Sequence, residues 1–231
     1  MNKNNQMNWE ALNRQVVQCR ECPRLVSWRE QVALQKRKAY MDWNYWGKPV
    51  PGFGDVDATI LVLGLAPGAH GSNRTGRMFT GDSSGDFLFP ALHKAGFASQ
   101  PDSRFKDDGL ILENIFITAV CRCVPPNNRP FKEEIMNCRI FLLEEMRLLD
   151  NLKGIIALGH IAFDSAIEIL SGRHQIRFEK KPNFQHGKVY SFAESPLWLM
   201  PSYHPSRQNT QTGRLTTEMF DKIWREAREI D

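Results

Sequence analysis

Apolar positions at Trp9, Leu12, Val16 and Val17 recur at the three-to-four-residue spacing of one helix face, and the CRECPR segment that follows interrupts them with Cys22 and Pro23. The spacing predicts a first helix ending near Cys19. Residues 58–64 (ATILVLG), 114–120 (NIFITAV) and 154–159 (GIIALG) are short β-branched and apolar runs without alternation, the pattern of strands covered on both faces. VYSF and PLWLM, nearer the C-terminal end, predict two weaker strands. Helical periodicity lies between these runs, over residues 84–95 closed by Gly96, 132–149, 160–170 closed by Gly172, and 215–230. Pro90 sits inside the first of them and is expected to kink it or to mark its true start. Strands alternating with helices predict an α/β fold, a mostly parallel sheet with helices on both faces. Ligands of such sheets bind beyond the carboxyl ends of strands, which directs attention to the loops after Gly64, Val120, Gly159 and Met200.

Composition narrows the class without naming a function. The chain has 231 residues, 42% hydrophobic and 24% charged, with 30 Lys and Arg against 26 Asp and Glu, a net charge of +4. Collagen-like, low-complexity and highly charged disordered classes are excluded. One domain spanning residues 1–231 is expected, since a chain of this length buries roughly 70–75% of its unfolded surface. No apolar run approaches the roughly 20 residues of a bilayer-spanning helix, and the polar N-terminus lacks the apolar core of a secretory signal. A cytoplasmic protein that makes no membrane contact is expected. Residues 36–57 mix basic side chains with Tyr40, Trp43, Tyr45 and Trp46 and a Pro/Gly-rich turn, and read as an ordered loop.

Five cysteines change the picture, because stable disulfides are disfavoured in a reducing compartment. Cys19 and Cys22 form C-x2-C, which lets two thiolates reach one metal centre from a single turn. Cys123 and Cys138 are candidates for the other two ligands, although Cys138 also fits the buried stripe of Ile135, Leu142, Met146 and Leu149. Cys121 competes for the third position; two residues from Cys123 in a strand pattern, it is taken as the spare thiol. Zinc and an iron–sulfur cluster both accept four thiolates, and the wide, unequal second spacing leans towards iron–sulfur.

Residues 64–82, GLAPGAHGSNRTGRMFTGD, match neither the G-x-G-x-x-G pattern nor a P-loop. A small-residue loop remains, able to bring backbone N–H groups close to a ligand. Phe79, between Gly76 and Gly81, is either a stacking platform or an anchor of the loop in the core. In the last loop, residues 202–215, His204 precedes Pro205 and would converge on the glycine loop.

The glycine loop, the HPS of residues 204–206, the C-x2-C and CVPPNNRPFKEEIMNC together resemble the iron–sulfur uracil-DNA glycosylases, closest to family 5 of that superfamily, over roughly residues 14–224. The resemblance implies a three-layer, doubly wound α/β fold, a 4Fe–4S cluster on Cys19, Cys22, Cys123 and Cys138, and removal of deaminated bases from DNA; a monomer is expected. Where the superfamily carries a water-positioning carboxylate or Asn before the loop proline, this chain has Leu65 and Ala66. Where related families carry an Asn four residues before the third cysteine, it has Ala119, which implies a base range wider than uracil, extending to hypoxanthine, xanthine or oxidised pyrimidines.

The expected mechanism everts the nucleotide into a pocket. Phe79 stacks on the base, backbone groups of Leu65, Ala66, Gly68 and Ala69 bind its edge, and His204 stabilises charge developing on the departing base. With no carboxylate at Ala66, Asp82 or Asn73 is expected to hold the water, Asp82 being equally suited to cap the helix that follows. Arg207 and Gln208 are expected to fill the gap left in the duplex or to contact phosphates, and Arg74 and Arg77 to bind the DNA backbone. The competing class is a metal-stapled nucleic-acid binder that stacks single strands on Trp43, Tyr45 and Trp46.

Overall fold

The computed structural model describes residues 8–172, 176–178, 180–193 and 195–230. Helix α1, Trp9–Gln18, starts at Asn8, whose side-chain oxygen accepts from the Ala11 amide at 2.9 Å. The chain leaves it at Cys19 and enters α2, Pro23–Gln35, with Pro23 in the first turn, where a missing N–H costs nothing. The proline that interrupts one helical pattern therefore starts a second helix, which periodicity alone did not separate. The ordered loop that follows holds a 3₁₀ turn at Lys38–Tyr40 and the short strand β1, Phe53–Gly54.

Next come β2 (Ile60–Gly64), α3 (Ser72–Thr75), α4 (Gly85–Lys94), β3 (Ile115–Ala119) and α5 (Lys132–Leu148). They are followed by β4 (Gly154–Leu158), α6 (His160–Gly172), β5 (Tyr190–Phe192), β6 (Ser195–Ser202), α7 (Arg207–Gln211) and α8 (Thr217–Ile230). Helix α4 continues through Pro90, whose ring faces solvent and removes one backbone hydrogen bond without ending the helix.

The six strands lie in the order β1-β3-β2-β4-β6-β5, the inner four parallel and the two edge strands antiparallel to their neighbours. β2, β3 and β4 are buried along their whole length, which explains their unalternating apolar sequences. Alternate side chains serve two cores. Ile60, Val62, Ile117 and Met200 meet α4 and α8 through Leu88, Phe89, Phe220 and Trp224. Leu61, Leu63, Ile155 and Leu199 meet α5 and α6 through Leu142, Phe163 and Leu170. The architecture is thus three-layered α/β, as the alternation of patterns predicts. No helix among the described residues is long and apolar enough to cross a membrane.

From β2 the chain crosses to β3 on one side, and from β4 to β6 on the other, which opens a crevice at the carboxyl ends of the central strands. Behind it lies a buried charge network. Arg122 Nη2 stands 2.5 Å from Glu145 Oε2, both side chains 1% exposed, and Thr118 Oγ1 and the Gly52 amide donate to the same carboxylate at 2.7 and 3.3 Å. Removing one partner strands a charge in the core, so Glu145→Ala is expected to lower the unfolding free energy by about 3–5 kcal/mol. Urea denaturation checks this, and a loss under about 1 kcal/mol would contradict the pairing.

Candidate active site and cysteine centre

The glycine turn leaves β2 at Gly64 and folds back under the segment that carries Phe79 and Asp82. The approach is closer than side chains permit. A Cβ on Gly64 would lie 2.9 Å from the Phe79 ring, one on Gly71 1.9 Å from Asp82 Oδ2, and one on Gly85 1.8 Å from the Phe79 carbonyl oxygen. Phe79 itself holds the left-handed φ of 52°, an uncommon conformation for a non-glycine residue and a strained one. Its ring is buried to 8% exposure and stacks on the His204 imidazole, with centroids 5.9 Å apart and planes at 29°.

These two turns border one cavity of about 830 Å³, lined also by Leu65, Ala66, Gly68, Ala69, Asp82 and Ala119, with Arg207 and Gln208 exposed at its edge. The Leu65 carbonyl is occupied by the Cys121 amide at 2.9 Å, tying the turn to the end of β3. Among the described residues, the amides of Ala66, Gly68, Ala69 and His70, residues that all border the cavity, donate no hydrogen bond. Asp82 stands two residues before the N-cap of α4, Ser84. Oδ1 accepts from the Ser84 and Gly85 amides at 3.0 and 3.1 Å and so satisfies donors at the start of α4, while Oδ2 rests over Gly68 and Gly71 beside the cavity. Burial raises the Asp82 pKa, opposed by those two amide bonds.

His204 follows β6 through Tyr203, and its carbonyl is held by Asn209 Nδ2 at 2.9 Å. Gly159, at φ 98°, leaves the space beside it: a Cβ there would sit 3.4 Å from His204 Cβ. The ring nitrogens have no partner among the described residues, and burial alone depresses the pKa to about 4. The imidazole is neutral at physiological pH and has one N–H to donate.

Three expectations are corrected. Asn73 is 1% exposed and does not line the cavity; its Nδ2 donates to the Arg29 carbonyl on α2 at 3.2 Å, so it ties the turn to a helix and is turned away from any substrate water. Arg74 is 3% exposed, donates to the His70 and Gly81 carbonyls at 2.7 and 2.9 Å, and is sandwiched 4.0 Å from both the Tyr40 and Trp43 rings. Arg77 is 6% exposed and paired with Asp108 at 2.8 Å, with further bonds to Thr80 and Ser103. Both arginines are committed inside the loop and do not reach a phosphate backbone. The aromatic loop is likewise packed: Trp43 lies on Arg74, Tyr45 on His70, and Trp46 fills the space left by Gly76.

Residues that the sequence reading passed over also line the cavity. His70 Nδ1 lies 3.0 Å from the Tyr45 hydroxyl, and burial together with the charges of Arg37 and Arg74 lowers its pKa. Asn127 and Asn128 both take left-handed φ values, 54° and 55°, and with Arg129 bring the loop after β3 to the cavity edge. Two asparagines after a Pro-Pro pair are turn chemistry, and that signal was readable.

On the far side of α2, Cys19, Cys22, Cys123 and Cys138 line one small cavity with Arg29 and Arg122. Cys121 does not line it; it lies in the apolar core against Cys138. Among the described residues no group of three or more His, Cys, Asp or Glu side chains could hold a metal ion as it stands. Burial pushes the Cys123 thiol up to about 12 and raises Cys19 and Cys22, whereas a hydrogen bond from Cys121 lowers Cys138 and raises Cys121 itself. Arg24 clamps the start of α2 to α5 through a bidentate pair with Glu134 at 2.8 and 2.6 Å.

An α/β crevice with a glycine turn, a neutral histidine and a cavity with room for a nucleotide is the frame of an enzyme acting on a nucleobase. Residues 51–228 match the model of the uracil DNA glycosylase superfamily, and the chain belongs to it. It is 49% identical to a type-5 uracil-DNA glycosylase of Thermus thermophilus over 224 residues, covering 97% of this chain and 99% of that one. A type-5 uracil-DNA glycosylase of Mycobacterium tuberculosis is also 49% identical, over 95% of this chain and 80% of the relative. A type-4 uracil-DNA glycosylase of Pyrobaculum aerophilum is 30% identical over 71% and 74% of the two chains.

Because folding depresses the His204 pKa, the folded protein binds that proton less well than the unfolded chain, and acid between about pH 6.5 and 4 destabilises it. In a proton NMR titration the His204 ring is expected to remain neutral down to about pH 5 and to titrate near 4; a midpoint near the ordinary value of about 6.5 would contradict its burial.

Proposed function

We propose that the chain is a monomeric DNA glycosylase that hydrolyses the N-glycosidic bond of uracil and other deaminated bases. The observation that carries this reading is the meeting of Phe79, the free amides of the glycine turn and a neutral His204 at one cavity. Eversion of the nucleotide costs about a few kcal/mol, least for a mispaired base, and the cavity accepts it. A base between two rings needs about 7 Å, twice the 3.4 Å spacing of stacked bases, more than the 5.9 Å separating Phe79 from His204. The base therefore stacks on Phe79 with the imidazole at its edge.

The C1′–N bond breaks with its electron pair leaving on the base, where the His204 N–H and the turn amides stabilise the new negative charge. Water adds to C1′ and gives up a proton, with Asp82 Oδ2 as its acceptor. Its raised pKa suits a carboxylate that must take up a proton. Ala66 and Ala119 bring no side-chain donor to the base edge, and a pocket without such bonds cannot strongly reject analogues, which supports the wider base range. Arg207 and Gln208, exposed beside the cavity, enter the duplex where the nucleotide has left.

The cysteine centre is read as a 4Fe–4S site on Cys19, Cys22, Cys123 and Cys138. The four thiols line one small cavity, the donor set that a cluster or a zinc ion accepts, and the wide, unequal spacing of the second pair together with the family resemblance favours the cluster. When bound, the cluster supplies a covalent cross-link between the α1–α2 turn, the end of β3 and α5. Loading requires loss of the thiol protons that burial holds on, so it is favoured by higher pH.

A duplex oligonucleotide containing one uracil tests the activity. Strand scission only after alkali is expected, and retention of an intact strand under tight binding would contradict it. His204→Ala is expected to slow single-turnover excision by about 100-fold or more. Protein purified without oxygen is expected to be brown, and Cys123→Ala, not Cys121→Ala, to remove the colour; the reverse would exchange the third ligand.

A further inference from the structure

Arg29, on α2, is 2% exposed, yet no carboxylate pairs with it closely. Glu30 stands 3.9 Å away, partly exposed and already engaged by Arg20 at 2.6 Å. The guanidinium instead turns to the cysteine centre: Nη1 donates to Cys123 Sγ at 2.9 Å, Nη1 and Nη2 lie 3.4 and 3.3 Å from the Cys19 carbonyl, and Nε is buried without a partner. The other guanidinium at this cavity, Arg122, has its charge met by Glu145. Desolvation makes a buried cation costly unless an anion or aromatic faces compensate it. Arg74 has the rings of Tyr40 and Trp43, whereas Arg29 faces sulfur and the Cys19 carbonyl, and neutral thiols provide no charge while a thiolate-bound centre does. The Arg29 carbonyl also accepts from Asn73, so the residue facing the cysteines is the one to which the glycine turn is fastened.

We propose that Arg29 is the charge-compensating residue of the cysteine centre, holding its reduction potential up through the bond to Cys123 and joining it to the substrate-binding turn through Asn73. The proposal rests on the cluster reading above. Arg29 touches neither DNA nor base; it is a positioning residue that acts through Cys123. A fixed cation at hydrogen-bond distance from a ligand sulfur favours the reduced, more negative state of the centre.

The test is voltammetry of anaerobically purified wild type, Arg29→Met and Arg29→Lys, with iron and acid-labile sulfide measured on each. Loss of charge in the Met variant is expected to disfavour reduction at least tenfold, about 59 mV for one electron, while the Lys variant stays within threefold of wild type. An unmoved potential in the Met variant overturns the proposal. If that variant does not fold, the Lys variant decides, because a tenfold change with the charge retained also overturns it. Wild type that holds zinc without sulfide overturns the cluster reading and this proposal together, whereas a loaded wild type with an unmoved Met variant overturns this proposal alone.

Discussion

Phe79 and Asp82 lie against the turn after β2 at distances that no Cβ tolerates. Where Gly64, Gly71 and Gly85 stand, an added methyl would enter the Phe79 ring, the Asp82 carboxylate or the Phe79 carbonyl. The rest of the site follows from that contact. It fixes the aromatic face, brings one carboxylate oxygen beside the cavity while the other satisfies donors at the start of α4, and leaves the amides of the turn unused. The parallel strands then add the second half by delivering His204 from the end of β6 to the same crevice, beside the space that Gly159 leaves open. Arg74 and Arg77 make the turn rigid from within, their guanidinium groups spent on carbonyls, rings and Asp108.

Electrostatics divides the molecule into two centres on either side of α2. At the cavity, groups are held neutral or poised: burial depresses His204 and raises Asp82, so a donor and a proton acceptor coexist without an ion pair to quench them. At the cysteines, two buried guanidinium groups face four sulfurs, and only one has a carboxylate to meet it. The hydrogen bond from Asn73 to the Arg29 carbonyl bridges the two. The helix that carries Arg29 and the turn beside the cavity are thus mechanically joined through this one bond.

The central strands were legible because burial on both faces leaves an unbroken apolar run, as in β2, β3 and β4. Helix α2 was not, since Pro23 reads equally as an end and as a beginning. The glycine turn and His204 were visible as unusual loops at strand ends. Asn73, Arg74 and Arg77 depart from expectation for one reason: residue type shows what a side chain can bond, while its direction depends on backbone geometry that the four-residue α3 and the turn after Gly76 set locally. Cys121 lies in the core, apart from the cavity that Cys123 lines, as expected of a spare thiol, and the two part company because strand alternation stops beyond β3. His70 and the Asn127–Asn128 pair reach the cavity through turns, where periodicity is silent.

The central claim is that an everted base stacks on Phe79 and meets His204 and the turn amides at its edge. A crystal structure of the protein with duplex DNA carrying a non-cleavable 2′-fluorinated deoxyuridine tests it most directly. The account predicts the uracil ring parallel to Phe79, with a carbonyl oxygen within hydrogen-bond distance of the His204 imidazole or of the amides between Ala66 and His70. A uracil still stacked in the duplex, or one lodged in another cavity with Phe79 untouched, would contradict it.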